Sequence, residues 1–402
     1  MNRRDLLAAG GGGLLLMGAA SARPATAVAL TPAVAPSTTT ASSRTSPTVF
    51  EYGAVGDGKT DDSAAFSAAL AASASMGLMV TVPAATYAIA KPITWTSTAN
   101  VGQNWGLNCQ GATLVSSITG GQDVIKLTSN NTVRYFRIVG GLSIVGSGQD
   151  GNGIHLVCHG STIYFYNNQI DSVSVENVGA NGLLFEGNVF ESVISNSYFQ
   201  NSGKSGAVFA QSQGGVVSAI NVISCFLNQN GLYGLCCTNY DATYGGTTDV
   251  RVYGGYCRDN QSYGFYYNNG TAGSTCVEQV GFENNCRSLQ PGNPNGAHIY
   301  ALSSMILRNI GGYNQPGGAT YLLRGWFSGL TTLDNCTQSA GGAMAATGAS
   351  GLIQVNGSSS GFVMMRACSG NVVAASGNAC GWTAQNCTGT SPRGTLTMSI
   401  TV

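Results

Sequence analysis

A glycine followed by three mostly apolar residues returns six times through the middle of the chain: Gly153-Ile-His-Leu, Gly182-Leu-Leu-Phe, Gly206-Ala-Val-Phe, Gly234-Leu-Cys-Cys, Gly264-Phe-Tyr-Tyr and Gly296-Ala-His-Ile. The intervals are 29, 24, 28, 30 and 32 residues. Between them recurs a second piece: Tyr198-Phe-Gln-Asn, Phe226-Leu-Asn-Gln-Asn, Tyr256-Cys-Arg-Asp-Asn and Phe282-Glu-Asn-Asn. Repetition at this period describes a solenoid, because one such unit buries its apolar face only by stacking on the next. The runs inside each unit are short, alternating and bounded by glycine, with no helix-length pattern between them. Leucine-rich and helical repeats are thereby excluded, and a parallel β-helix is predicted. At about 25 to 30 residues per coil, residues 78 to 402 make about eleven to thirteen coils, a rod of ~55 Å at ~4.8 Å per rung.

The N-terminal flank agrees. In Phe50-Glu-Tyr-Gly-Ala-Val-Gly-Asp-Gly-Lys-Thr-Asp-Asp62, Gly53, Gly56 and Gly58 let the backbone fold on itself, and Thr60, Asp61 and Asp62 offer oxygens to the free amides of a helix over 63–76. Gly77 ends that helix, a strand Leu78-Met-Val-Thr-Val-Pro83 follows, and then Ala84-Ala-Thr-Tyr87. This order resembles the opening segment of the pectate-lyase-like superfamily of right-handed parallel β-helices. The resemblance implies an all-β, single-stranded solenoid whose open N-terminal end is plugged by the helix. It covers about forty residues, has alanine at Ala85 where the family usually has glycine, and carries no catalytic group. The polygalacturonase motifs of the superfamily are absent apart from the echo His159-Gly160, and the Asp-Pro-His-Glu run of mannuronan epimerases is absent too.

Met1-Asn2-Arg3-Arg4 precedes an apolar run from Ala8 to Ala20, which is too short to span a bilayer and is read as a twin-arginine export signal over 1–27. Residues 28–47, rich in Thr, Ser, Pro and Ala, read as a flexible leader, and 48–402 as one β-helix domain. The expected address is the periplasm or the exterior, reached through the twin-arginine machinery. Lysines and arginines number 17, aspartates and glutamates 17, so the chain offers nucleic acid or anionic lipid no basic field. Twelve cysteines in an exported protein invite a disulfide reading. Several nonetheless fall in the core frame, such as Cys237 in the slot of Leu156, Phe185 and Phe209, and a twin-arginine substrate folds in a reducing compartment; most are expected to be free thiols packed inside. No Cys/His spacing suits zinc, and a calcium requirement is left open.

Alternation along the glycine-led strands turns the first and third residues inward and the second and fourth outward. On that frame Tyr266 stacks over His298 and Asn268 over Tyr300, an exposed group suited to a sugar. Cross-strand aromatic packing is the competing role for the same residues. Arg258, Asp259, Glu283 and Arg287 are placed beside this face, with Asp241 and Glu186 as further ligand-contacting candidates. Asn201, Asn230, Asn260 and Asn285 are expected to form a turn-bridging ladder, and His155, ~24 Å along the rod from His298, is read as a surface or turn residue. The predicted function is a polysaccharide lyase, epimerase or glycoside hydrolase acting on an acidic glycan. For a lyase, Tyr266 or His298 abstracts the proton beside the uronate carboxylate, Arg258 or Arg287 neutralises that carboxylate, and Tyr300 protonates the leaving oxygen. For a hydrolase the nearest carboxylate pair is Asp259 and Glu283. The alternative is a non-catalytic glycan-binding or envelope β-helix, favoured by the sparse catalytic signature.

Overall fold

The computed structural model describes residues 46–160, 162–240, 247–268, 275–289, 296–314, 321–340, 351–356, 361–370, 372–374 and 380–388. The expected export signal, nearly all of the leader and the candidate Asp241 lie outside the described residues.

The chain forms a parallel β-helix preceded by the helix Ser63–Met76. The helix buries Phe66, Ala69 and Leu70, and ends where Gly77 takes φ 63 and donates its amide to the Ser73 carbonyl. Phe66 meets the Tyr87 ring edge-on at 5.1 Å, so the helix seals the end of the core. Asp62 does not cap the helix with its side chain; its carboxylate accepts from the Val55 and Gly56 amides at 2.7 and 3.2 Å and draws the glycine loop shut. Gly56, at φ 70, has Ala85 and Tyr87 against the place a Cβ would take, which accounts for glycine there.

Three ladders of parallel strands follow. The first, eleven-stranded among the described residues, runs through Ile125–Ser129, Ile154–Cys158, Leu183–Gly187, Ala207–Gln211, Leu235–Asn239, Phe265–Tyr267 and Ala297–Ala301. The second passes through Gln169–Asp171 and Val193–Ser195, the third through Val173–Glu176 and Tyr198–Gln200; the long strands Val217–Asn228 and Thr248–Arg258 run through both. The corner between these two ladders is a single residue in the left-handed region, as at Ser172 (φ 57) and Asn196 (φ 50). Asparagine tolerates that conformation better than most side chains, which explains its frequency here.

The inward positions expected from alternation are buried: Ile154, Leu183, Phe185, Phe209, Phe265 and Ile299. All twelve cysteines are free thiols and ten of them are buried. The amide ladder runs Asn230–Asn260–Asn285, with side-chain bonds of 2.9 and 2.8 Å. Asn201 is not part of it. It occupies a left-handed corner at φ 53, and the next residue, Ser202, donates its amide to Asn230.

One coil departs from the expected frame. Phe265 pairs with Ile299 and Tyr266 with Tyr300, so His298 falls opposite Gly264 and the predicted pairs Tyr266–His298 and Asn268–Tyr300 do not form. At Gly264 a Cβ would run into Phe282 and Asn285, so the position points inward. His298 accordingly lies in the core, fully buried, with Nδ1 at 3.1 Å from the Asn285 amide nitrogen. It ends the amide ladder and faces no groove.

Candidate functional site

The outward file of the first sheet reads Lys126, His155, Leu184, Val208, Cys236, Tyr266, Tyr300 and Arg324, one residue per rung. Its polar chemistry gathers near the early rungs. His155 Nδ1 lies 2.8 Å from Asp123 Oδ2, and His155 Nε2 lies 3.1 Å from Glu186 Oε2. His159 Nε2 sits 3.0 Å from Glu186 Oε1, which also accepts from Ser212 Oγ at 3.0 Å. Asp123 Oδ1 accepts from the backbone and side-chain amides of Asn152 at 2.8 and 2.7 Å. The four titratable groups form one chain, Asp123–His155–Glu186–His159, running from a nearly closed end to an open one: side-chain exposure is 10% at Asp123, 7% at His155, 20% at Glu186 and 34% at His159.

The charges follow from the geometry. Burial opposes ionisation of Asp123, yet bonds from His155 and Asn152 hold its carboxyl below the usual range. For Glu186 the His155 hydrogen bond leads, and with His159 and Ser212 it brings the carboxyl down to about 2. Burial alone would neutralise His155, but bonding to both carboxylates outweighs it and raises the imidazole above its ordinary value. Two acceptors that are both ionised require a donor at each ring nitrogen, so His155 is held as the imidazolium. The tautomer of His159 that donates through Nε2 to Glu186 has Nδ1 as an acceptor. Lys126 stands beside His155 in register, and Tyr240, 57% exposed, closes the strand that follows Ser212 by one coil.

Among the described residues, Glu186 is the candidate from the sequence that the structure joins to the histidines of the first sheet. Asp123, His159 and Ser212 complete this cluster, with Lys126 beside His155 in register, and His155 belongs to it and is not a surface or turn residue. Asp123 occupies the place held in the next two coils by Asn152 and Asn181, which bond in series. An acid standing in an amide ladder, one rung from an outward histidine, was the available signal. It is hidden because this coil has Val124 where the repeat has glycine.

The other candidates separate. Tyr266 and Tyr300 stack at 5.6 Å and 2°, sandwiched with Tyr233 (4.6 Å, 10° to Tyr266) and Tyr263 (4.8 Å, 20° to Tyr300). The ring faces are therefore turned to one another, with Trp326 edge-on to Tyr300, and cross-strand packing is what they supply. Burial raises the phenols of Tyr266 and Tyr300, so neither is disposed to serve as a base. Asn268 ends this tier, donating its amide to the Cys237 carbonyl at 2.8 Å. Burial also holds His298 neutral, its pKa lowered to about 3, and among the described residues its Nε2 has no hydrogen-bond partner. That removes His298 from any role needing solvent. Arg258 and Arg287 both engage Asp259, at 3.2 and 3.5 Å, while Glu283 pairs in register with Arg258 on the third ladder. Arg258 and Glu283 lie on the third ladder, whereas Tyr266 and Tyr300 lie on the first, so they do not share a face. Among the described residues no set of three or more His, Cys, Asp or Glu side chains is disposed around a metal.

Residues 48–233 match the family model described as rhamnogalacturonase A/epimerase, pectate lyase-like. The fold is shared with the A-module of mannuronan C-5 epimerase AlgE4 of Azotobacter vinelandii, at TM-score 0.57 and 14% identity over 88% of this chain and 100% of that one. ORF18 of Geobacillus virus E2 matches at TM-score 0.57 and 18% identity, covering 80% of this chain and 61% of that one. The Agl-KA catalytic domain matches at TM-score 0.55 and 16% identity, covering 89% and 68%. At such identities the likeness is one of fold. Comparison with curated protein sequences finds no match. Residues 48–233 thus carry the pectate-lyase-like family match, and the coils share the parallel β-helix fold of these structures.

Proposed function

We propose that this protein is an exported enzyme of acidic polysaccharides that moves a proton at the carbon beside a uronate carboxylate, as a lyase or epimerase does. The observation that carries the reading is the Asp123–His155–Glu186–His159 chain, a fixed array of charges ending in an accessible imidazole. In this reading His159 is the catalytic base: Glu186 orients the ring and stabilises the imidazolium it becomes after taking the proton at Nδ1. His155 and Asp123 are positioning residues that keep Glu186 in place and ionised. Lys126 lies along the same file and would offset the uronate charge that builds as the carbon-bound proton leaves. Glycoside hydrolysis needs one carboxyl kept protonated, and here both carboxyls are pushed down. The similarity to a mannuronan C-5 epimerase A-module supports the same class of substrate. The Arg3-Arg4 segment and the apolar run behind it support export by the twin-arginine route.

A second reading, glycan binding without turnover, is favoured by one observation: Glu186 already has three hydrogen-bond partners. Incubating the purified protein with alginate and with polygalacturonate separates the two. The enzyme reading expects new ultraviolet absorbance from unsaturated uronates, or changed C5 stereochemistry by NMR. Saturable binding with neither product would favour the second.

A further inference from the structure

On the third ladder, away from this centre, the outward file changes character abruptly. Tyr198, Phe226 and Tyr256 stand on successive rungs with parallel rings, 4.6 Å apart at 5° and 6.2 Å apart at 14°. The next two rungs of the file carry Gly281 and Gly311. The aromatic file stops and leaves a gap of roughly 10 Å at the strand spacing. The Tyr256 ring leans over Gly281, whereas a Cβ at Gly311 would meet nothing within 4 Å among the described residues. Beside the gap runs a second outward file, Arg258, Glu283, Tyr313 and Ser339. The result is a cleft of about 480 Å³ with a glycine floor, lined by Tyr256, Tyr313, Glu283 and Ser339. Tyr256 and Tyr313 remain 48% and 41% exposed, and the neighbouring Arg258 is engaged with Asp259.

From this geometry we infer a second saccharide site, separate from the His159 centre and taking a neutral pyranose residue of a glycan chain. An exposed ring beside a flat glycine floor receives the apolar face of a sugar. The Glu283 carboxylate and the Ser339 hydroxyl pair with its hydroxyls, and the carboxylate repels a uronate. The uncovered floor at Gly311 suits one sugar unit. The inference does not depend on the proposed reaction, because it concerns other residues on another face.

Calorimetric titration of the full chain with cellotetraose, β-1,4-mannotetraose and laminaritetraose, with tetragalacturonate as the acidic comparison, tests it. At least one neutral tetrasaccharide should bind. Gly311→Leu, which fills the open floor, and Tyr256→Ala should each weaken that binding at least tenfold, while tetragalacturonate binding stays within twofold. If Gly311→Leu does not fold, Tyr256→Ala and Glu283→Gln decide. The inference is overturned if no neutral probe binds, if the variants bind as the wild type does, or if they weaken tetragalacturonate instead.

Discussion

Three ionisable side chains carry opposite consequences for pH. Glu186, folded at about 2 and ordinarily near 4.5, stabilises the fold above the unfolded value, and that contribution is lost as pH falls toward 2. His155, raised above 6.5, contributes stability that is fully present below 6.5 and is lost as pH rises through its folded value. His298, lowered to about 3, costs stability as pH falls from 6.5 toward 3. Subtracting the pH profile of denaturation free energy of His155→Gln from that of the wild type isolates one term. The difference should be largest near pH 5 to 6 and shrink above pH 7; a flat difference would mean that His155 is not held as a cation. His298→Ala should cost roughly 2–4 kcal/mol by chemical denaturation, since it empties a core position and removes the partner of Asn285, and should leave turnover of the folded protein unchanged. Lost turnover with unchanged stability would return His298 to the active site.

At the scale of the element, the amide ladder is the most demanding device in the coils. Asn260 accepts from the Asn230 backbone and side chain and donates to the Leu227 carbonyl and Asn285, all in the core. Asn260→Ala strips partners from two neighbouring coils at once, and a loss of about 3 kcal/mol in urea unfolding is expected. A loss under about 0.5 kcal/mol would show the ladder to be dispensable. The cysteines belong to the same scale. Cys336, Cys368 and Cys387 follow one another along a corner, each backbone amide of the first two reaching the next sulfur at 3.4 and 3.3 Å, while each thiol bonds to a carbonyl of its own strand. Thiol titration of the denatured, unreduced protein should find all twelve free; five or six disulfides would contradict both the packing and the expected folding route.

For the whole molecule, the glycine-led repeat and the loop before the helix made the solenoid readable, because each coil restates the same inward pattern. The same repeat misled at one place. Gly296 follows Gly264 by 32 residues, but the strands pair Phe265 with Ile299, an offset of 34, so counting from glycine sends His298 outward. The site was harder to read for a different reason. Its groups come from consecutive coils, and register across the first sheet, not any linear motif, brings Asp123, His155, Glu186 and His159 together. The tyrosine tier was visible as a pattern, yet the sequence could not show that its rings face one another. The central claim is that proton transfer belongs to His159 on Glu186 and not to the tyrosines. Turnover of alginate and polygalacturonate by wild type, His159→Ala and Tyr266→Phe tests it most directly. The account predicts turnover by the wild type, a loss of roughly 10²–10⁴-fold in His159→Ala, and little change in Tyr266→Phe. Full activity in His159→Ala, or its loss in Tyr266→Phe with the fold intact, would contradict the account.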